Sequence, residues 1–252
     1  MSNPFSLEGE TALITGGGTG LGFGIARAMV DAGARVVIVG RRAELLRDAA
    51  GQLGEQASYR AHDICDFDTN ERLIADLATD GLSPSILVNN AGVHLRKRTV
   101  DLKVDEFRKL MDTHVFAAHS LSAACLKLMI PQRRGSILYI ASMTSFIGQP
   151  LVVAYSAAKS AYLGIVRTIS ADHAADGIRC NAIAPGWIAS PMLEQALAGD
   201  DARRQKIISR TPMKRFGDPQ DIGLAAVYLC SPAARFVTGI VLPIDGGAST
   251  GF

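Results

Sequence analysis

Tyr155 and Lys159 stand four residues apart in an alanine-rich stretch, and Ser142 lies thirteen residues before the tyrosine, after a run with strand character. A phenol of ordinary pKa, about 10, holds its proton at neutral pH unless a neighbouring cation stabilises the phenolate. On one helix, side chains at i and i+4 share a face, so the Lys159 ammonium can be held beside the Tyr155 hydroxyl. The trio therefore predicts proton transfer. The spacing alone is weak evidence, because a chain with five tyrosines meets it by chance now and then. The plain alternative is a half-buried Tyr155 and a solvated Lys159.

Such a site needs a scaffold, and the chain supplies regular punctuation for one. Short β-branched runs occur at Thr11–Thr15, Arg35–Val39, Ser58–Ala61, Ser85–Asn89, Ser136–Ile140, Ile178–Ile183 and Ile240–Ile244, separated by helix-length segments. Strands that are apolar without alternation are buried on both faces, and helices between them imply right-handed crossovers in a parallel sheet. The expected class is α/β, a single doubly wound domain over residues 1–252 with a seven-stranded parallel sheet. Asp68–Glu71 resembles a capping box opening a helix through Leu77, and Asp218-Pro-Gln-Asp221 puts proline at a helix start before Ile222–Cys230. Residues 186–215, with Pro191 and Pro212, are long enough to form a mobile cover over a site.

Composition excludes several classes. The 252 residues are 48% hydrophobic and 20% charged, with a formal net charge of +2, so neither nucleic acid nor an anionic membrane is an expected partner. Cys65, Cys125, Cys180 and Cys230 are scattered without a CxxC pair or a histidine at ligand spacing, which points to buried free thiols rather than disulfides or a metal site. No basic segment leads into an apolar stretch near Met1–Glu10, and no apolar run approaches the roughly 20 residues of a membrane span. A cytoplasmic location is expected.

The first strand runs into Thr15-Gly-Gly-Gly-Thr-Gly-Leu-Gly22 and then a helical pattern from Phe23. Glycines allow close approach of the backbone to a pyrophosphate, and a helix N-terminus offers N–H groups and a positive dipole end. The spacing Gly16-x-x-x-Gly20-x-Gly22 resembles the TGxxxGxG signature of the short-chain dehydrogenase/reductase family. Asn89-Asn-Ala-Gly92, Ser142, Tyr155-Ser-Ala-Ala-Lys159 and Asn181-Ala-Ile-Ala-Pro-Gly186 extend that resemblance from about Glu8 to the C-terminus.

The resemblance implies a Rossmann-type domain, usually a homotetramer, transferring hydride between a nicotinamide cofactor and a carbonyl or alcohol. Hydride arriving at a carbonyl carbon builds charge on oxygen, a task for Tyr155 as proton donor and Ser142 as second hydrogen bond donor. Lys159 would also hold the nicotinamide ribose. The cofactor set implied is Gly16, Gly18, Thr19, Gly20, Leu21 and Gly22 for the phosphates, Asp63 and Ile64 for the adenine, Asn89, Ala91 and Gly92 behind them, and Pro185, Gly186, Ile188 and Ser190 at the nicotinamide. The second strand ends in Gly40-Arg41-Arg42, with no acidic residue to bond an adenine ribose. Two guanidinium groups favour the 2′-phosphate of NADP, with NAD the alternative. Asp63 is equally a plain turn residue.

One position departs from the family pattern: His114 stands where an asparagine usually sits on the helix after the fourth strand. It could hold the same water, titrate near neutrality, or simply pack. Met143, Thr144, Gln149, Trp187 and Met192 are expected to line the substrate pocket. Arg96-Lys97-Arg98 could attract an acidic substrate or form a solvated loop, and His94 could border the pocket or lie at the surface. Ser142–Ser145 and Arg210–Gly217 resemble the subgroup containing gluconate 5-dehydrogenases and related sugar-acid and polyol dehydrogenases. A 3-oxoacyl thioester reductase would share the motifs, and a dinucleotide-binding sensor or scaffold is the non-enzymatic alternative.

Overall fold

The structure, a computed structural model, describes residues 3–190, 193–194 and 197–251. Seven strands form: β1 (Thr11–Thr15), β2 (Arg35–Gly40), β3 (Ala57–Ala61), β4 (Ile86–Asn89), β5 (Gly135–Ile140), β6 (Ile178–Pro185) and β7 (Val241–Ile244). They make one sheet in the order β3-β2-β1-β4-β5-β6-β7, and every pairing is parallel. The expected strands are all present, with ends shifted by at most two residues. Between and after them lie α1 (Gly20–Asp31), α2 (Ala43–Leu53), α3 (Phe67–Thr79), α4 (Val104–Met111), α5 (Ala117–Gln132), α6 (Val153–His173), α7 (Asp201–Arg210) and α8 (Pro219–Cys230).

Why the strands read as unbroken apolar runs is visible in their neighbours. Ile14 and Ile38 face a core layer with Ile25 and Met29 of α1, while the adjacent Leu13 and Val37 face a second layer with Leu73 of α3 and Leu121 of α5. Consecutive residues thus serve opposite faces, and both faces are dry. The chain winds from β1 outward to β3, then returns to place β4 on the other side of β1. At that reversal the connecting loops diverge and leave a crevice at the carboxyl ends of the strands.

Two helix starts behave differently. Pro219 opens α8 as expected; Asp218 accepts from the Gln220 N–H at 2.9 Å and Asp221 accepts from the Asp218 N–H at 2.8 Å, so a capping box forms there as well. The box expected at Asp68–Glu71 does not: α3 begins at Phe67 after Asp66 and runs to Thr79. The reason is Asn70, which is buried and bonded to the Ile64 carbonyl and His62, drawing the first turn inward before Asp68 can act as a cap.

Between α4 and α5 the helix widens into a π turn at Asp112–Phe116, giving a continuous helical stretch over 104–132. An 18-residue window within it reaches a mean hydropathy of 1.2, nearer to a spanning segment than expected, and 44% of that window is buried in the protein. Among the cysteines, Cys125, Cys180 and Cys230 are buried free thiols, whereas Cys65 is only half-buried beside the Thr113 hydroxyl at 3.5 Å. Desolvation pushes Cys125 up to about 12 and Cys230 up to about 11.

Candidate active site

A cavity of about 850 Å³ opens at the carboxyl end of the sheet, walled by the segments that leave β1 through β6. Gly16, Gly18, Thr19, Gly20, Leu21 and Gly22 form one end. Thr19 is the extended N-cap of α1 and its side chain makes no capping bond, and the first turn of α1 carries no acidic residue. The first N–H groups of a 12-residue helix are therefore left to a ligand. Close packing keeps that end in place: a Cβ on Gly22 would stand 2.3 Å from the Gly16 carbonyl oxygen.

The loop after β4 braces this turn. Thr15 Oγ1 accepts from the backbone N–H groups of Asn90 and Ala91, each at 3.0 Å, and Asn90 Nδ2 donates to the Thr15 carbonyl at 2.9 Å. Of the asparagine pair, Asn90 rather than Asn89 lines the cavity. Asn89 is buried beneath it, its amide donating to Ser122 Oγ, which in turn meets Tyr139 Oη at 2.7 Å. A strand turns alternate residues to opposite sides, so one member of the pair had to point away.

Gly92 makes room for His114, since a Cβ there would lie 2.3 Å from Cε1 of the ring. His114 is 1% exposed, with Nε2 2.8 Å from the Val93 carbonyl and 3.2 Å from the Val93 nitrogen. The shorter contact assigns the ring proton to Nε2, which leaves Nδ1 buried without a partner among the described residues. Burial, aided by the Lys159 charge, pushes His114 down to about 3. It is a neutral group, not one titrating near neutrality. Its carbonyl, freed by the π turn, accepts from Tyr162 Oη at 2.5 Å.

Ser142, Tyr155 and Lys159 converge on the cavity. Tyr155 is half-buried, with its ring 4.9 Å from His94 and 5.6 Å, edge-on, from His114. The lysine differs from expectation. Its Nζ donates to the Ile140 carbonyl at 2.6 Å and lies 5.7 Å from the centre of the Tyr155 ring, so no hydrogen bond joins the pair among the described residues. The carbonyl at the end of β5 takes the ammonium instead. With 3% exposure, desolvation pulls Lys159 down to about 7 and raises the Tyr155 phenol, an increase opposed by interaction with Ser142. Ser142 Oγ accepts from the Thr144 N–H at 3.1 Å and from Thr144 Oγ1 at 3.0 Å.

Beyond the turn, Arg41 and Arg42 line the end of the cavity expected to take the adenine, and neither is ion-paired among the described residues. Asp63 and Ile64 line it too, Asp63 doubling as a turn residue through its Oδ1, which accepts from the Cys65 N–H at 3.0 Å. Toward the other end, Pro185 closes β6 and Gly186, Ile188 and Ser190 follow it; Ile188 pairs with Gly217, and the Ser190 hydroxyl accepts from the Leu193 N–H at 3.1 Å. Met143, Thr144, Gln149 and Trp187 line the cavity, whereas Met192 lies outside the described residues.

The basic triplet divides. Lys97 pairs with Glu106 at 2.8 Å and Arg98 stands 4.0 Å from Asp101, while Arg96 faces the cavity. There it meets Arg203 of α7, which sequence reasoning missed, and His94, whose surface reading proves incomplete. Burial and then the Arg203 charge lower Arg96, and burial followed by both guanidinium groups lowers His94. No local spacing could have announced Arg203, because the loop after β6 alone brings it over.

An open helix N-terminus at the switch point of a parallel sheet, beside a serine, tyrosine and lysine, defines a nicotinamide-dependent oxidoreductase. A family model described as enoyl-(acyl carrier protein) reductase matches residues 16–249. The chain is 36% identical over 250 residues to 2-dehydro-3-deoxy-D-gluconate 5-dehydrogenase of Bacillus subtilis (strain 168), covering 98% of this chain and 97% of that protein. It is 35% identical over 252 residues to gluconate 5-dehydrogenase of Gluconobacter oxydans (strain 621H), with 98% of each covered. Gluconate 5-dehydrogenase of Burkholderia cenocepacia J2315, crystallised with NADP and tartrate, superposes with a TM-score of 0.94 at 32% identity over 99% of this chain and 98% of that one. The chain belongs to the short-chain dehydrogenase/reductase family.

Proposed function

We propose that the protein is an NADP-dependent dehydrogenase of sugar acids, interconverting a secondary alcohol and a ketone on a carboxylate-bearing chain. The observation that carries this reading is the cluster of Arg96, Arg203 and His94 at the end of the cavity that holds Tyr155. Two guanidinium groups and an imidazole around one mouth suit an anion, and arginine pairs carboxylates in bidentate fashion. The relatives named above act on sugar acids, and the Burkholderia neighbour holds the dicarboxylate tartrate.

The residues fit a dinucleotide: the glycine turn and uncapped α1 suit its pyrophosphate, and Arg41 and Arg42 suit a 2′-phosphate. When bound, the nicotinamide supplies or accepts hydride at the substrate carbon. The protein then has to move a proton at the substrate oxygen. Tyr155 gives that proton in reduction and takes it in oxidation, Ser142 donates a second hydrogen bond to the developing oxyanion, and Lys159 adds positive charge nearby. His114 anchors the Val93 backbone, and with it the loop that carries His94 and Arg96. Residues 186–215 act as a cover closing over substrate.

The family description and a 31% identical 3-oxoacyl-[acyl-carrier-protein] reductase from Rickettsia prowazekii (strain Madrid E) favour a second reading, reduction of an acyl thioester. Exposed Val104, Phe116, Leu224 and Ile240 support assembly into a homotetramer, and the free thiols support a reducing, cytoplasmic setting. The deciding experiment is a turnover screen of gluconate-type acids, keto acids, neutral polyols and acyl thioesters with NADP(H) and NAD(H) in parallel. Turnover of sugar acids with NADP is expected; activity confined to thioesters, or to NAD, would overturn the corresponding part.

A further inference from the structure

Thr144 lines the cavity, and the structure turns its hydroxyl onto Ser142. A serine oxygen has two lone pairs and one proton to give. Both lone pairs of Ser142 Oγ are occupied, one by the Thr144 backbone N–H at 3.1 Å and one by Thr144 Oγ1 at 3.0 Å. Ser142 is 7% exposed and Thr144 5%, so water does not compete freely for these bonds. What remains to Ser142 is donation.

We propose that Thr144 is a positioning residue that fixes the direction of proton flow at the catalytic pair: by filling the acceptor sites of Ser142, it compels Ser142 to donate and prevents Tyr155 from donating to Ser142. The distinction matters chemically. A phenol that donates to a serine is held in its neutral form, whereas a phenol oxygen that accepts from a serine is helped toward phenolate. Ser142 lies close enough to the Tyr155 phenol to oppose the rise that burial imposes on it. The proton on Tyr155 then has one destination, the substrate oxygen, and the serine proton serves either the phenolate or the oxyanion. The backbone N–H is supplied whatever residue occupies position 144, so the threonine hydroxyl is the part that a side chain controls.

This inference rests on the proposed oxidoreductase chemistry but is tested partly without it. Thr144→Val removes the hydroxyl at nearly constant shape, Thr144→Ala removes it with room to spare, and Thr144→Ser restores it. The Tyr155 phenolate is titrated by near-ultraviolet difference absorbance in each variant, with Tyr155→Phe subtracted to isolate that one tyrosine. With Val or Ala the midpoint should rise by about one pH unit. In the alcohol-oxidising direction, on whichever alcohol the wild-type protein turns over, the ascending limb of kcat against pH should move by the same amount, about a tenfold loss at neutral pH, with KM little changed. Thr144→Ser should titrate and turn over like wild type. Midpoints unchanged in Val and Ala, or a serine variant as impaired as the valine one, would overturn the proposal and leave Thr144 a packing residue. Failure of the wild-type protein to oxidise any alcohol would count against the proposed function instead, while the titration would still decide the role of Thr144.

Discussion

Tyr155 carries the most direct prediction. Tyr155→Phe deletes one hydroxyl at constant ring shape, so turnover should fall by about 10²-fold or more while NADPH affinity, read by cofactor fluorescence, stays within about twofold. Undiminished turnover would remove Tyr155 from the chemistry. Arg96 separates binding from chemistry: Arg96→Ala should raise KM for sugar acids about tenfold and leave neutral polyols untouched, since only the acids lose a counter-charge. His114 is a stability prediction. Its folded pKa is held near 3 while an unfolded histidine titrates near 6.5, so between these values the unfolded chain binds a proton that the folded chain refuses. Stability is therefore full above about 6.5 and drains as pH falls toward 3, by a few kcal/mol on the order of the shift. His114→Asn should flatten that dependence in melts taken from about pH 7 to about pH 4, and an identical slope would refute the assignment. That Ser142, Tyr155, Lys159 and the two arginines after β2 share one cavity was legible in advance, because residue type and local spacing single them out. What the sequence concealed was direction. Nothing in Tyr155–Lys159 says that the ammonium bonds the Ile140 carbonyl, nor that the Thr144 hydroxyl is spent on Ser142.

Among elements, the start of α1 is the critical one. Gly22→Ala would force a methyl against the Gly16 carbonyl, so the turn must shift, costing about 1–3 kcal/mol in stability or in dinucleotide affinity. Calorimetry of NADPH binding against a thermal melt divides the two. Within the proposed cover, Leu193, Leu197 and Ile207 pack with Trp187 and Phe216 in a small cluster of their own, while Ile188 joins a main core layer. The part that rests on this small cluster should open at lower cost than the layers that clasp the sheet. Cofactor and sugar acid together are expected to protect residues 186–215 from limited proteolysis and to change the emission of Trp187, the single tryptophan. Unaltered cleavage in the ternary complex would argue for a static insertion. Strands were readable because burial on both faces leaves a continuous β-branched signature. The α3 start and the π turn were not, since each is set by tertiary bonds to Asn70 and to the His114 carbonyl rather than by local propensity.

For the molecule as a whole, the last strand limits how copies can meet. Ile240 and Ile244 turn their carbonyls toward β6, accepting from Ala182 and Gly186, so the alternate residues Val241 and Pro243 face the open side of the sheet. A proline there has no N–H to offer a newcomer. Backbone zippering between two molecules along β7 is thereby discouraged at Pro243. The same residue is a safeguard against runaway stacking during heating or crowded synthesis, when exposed strands are most adhesive.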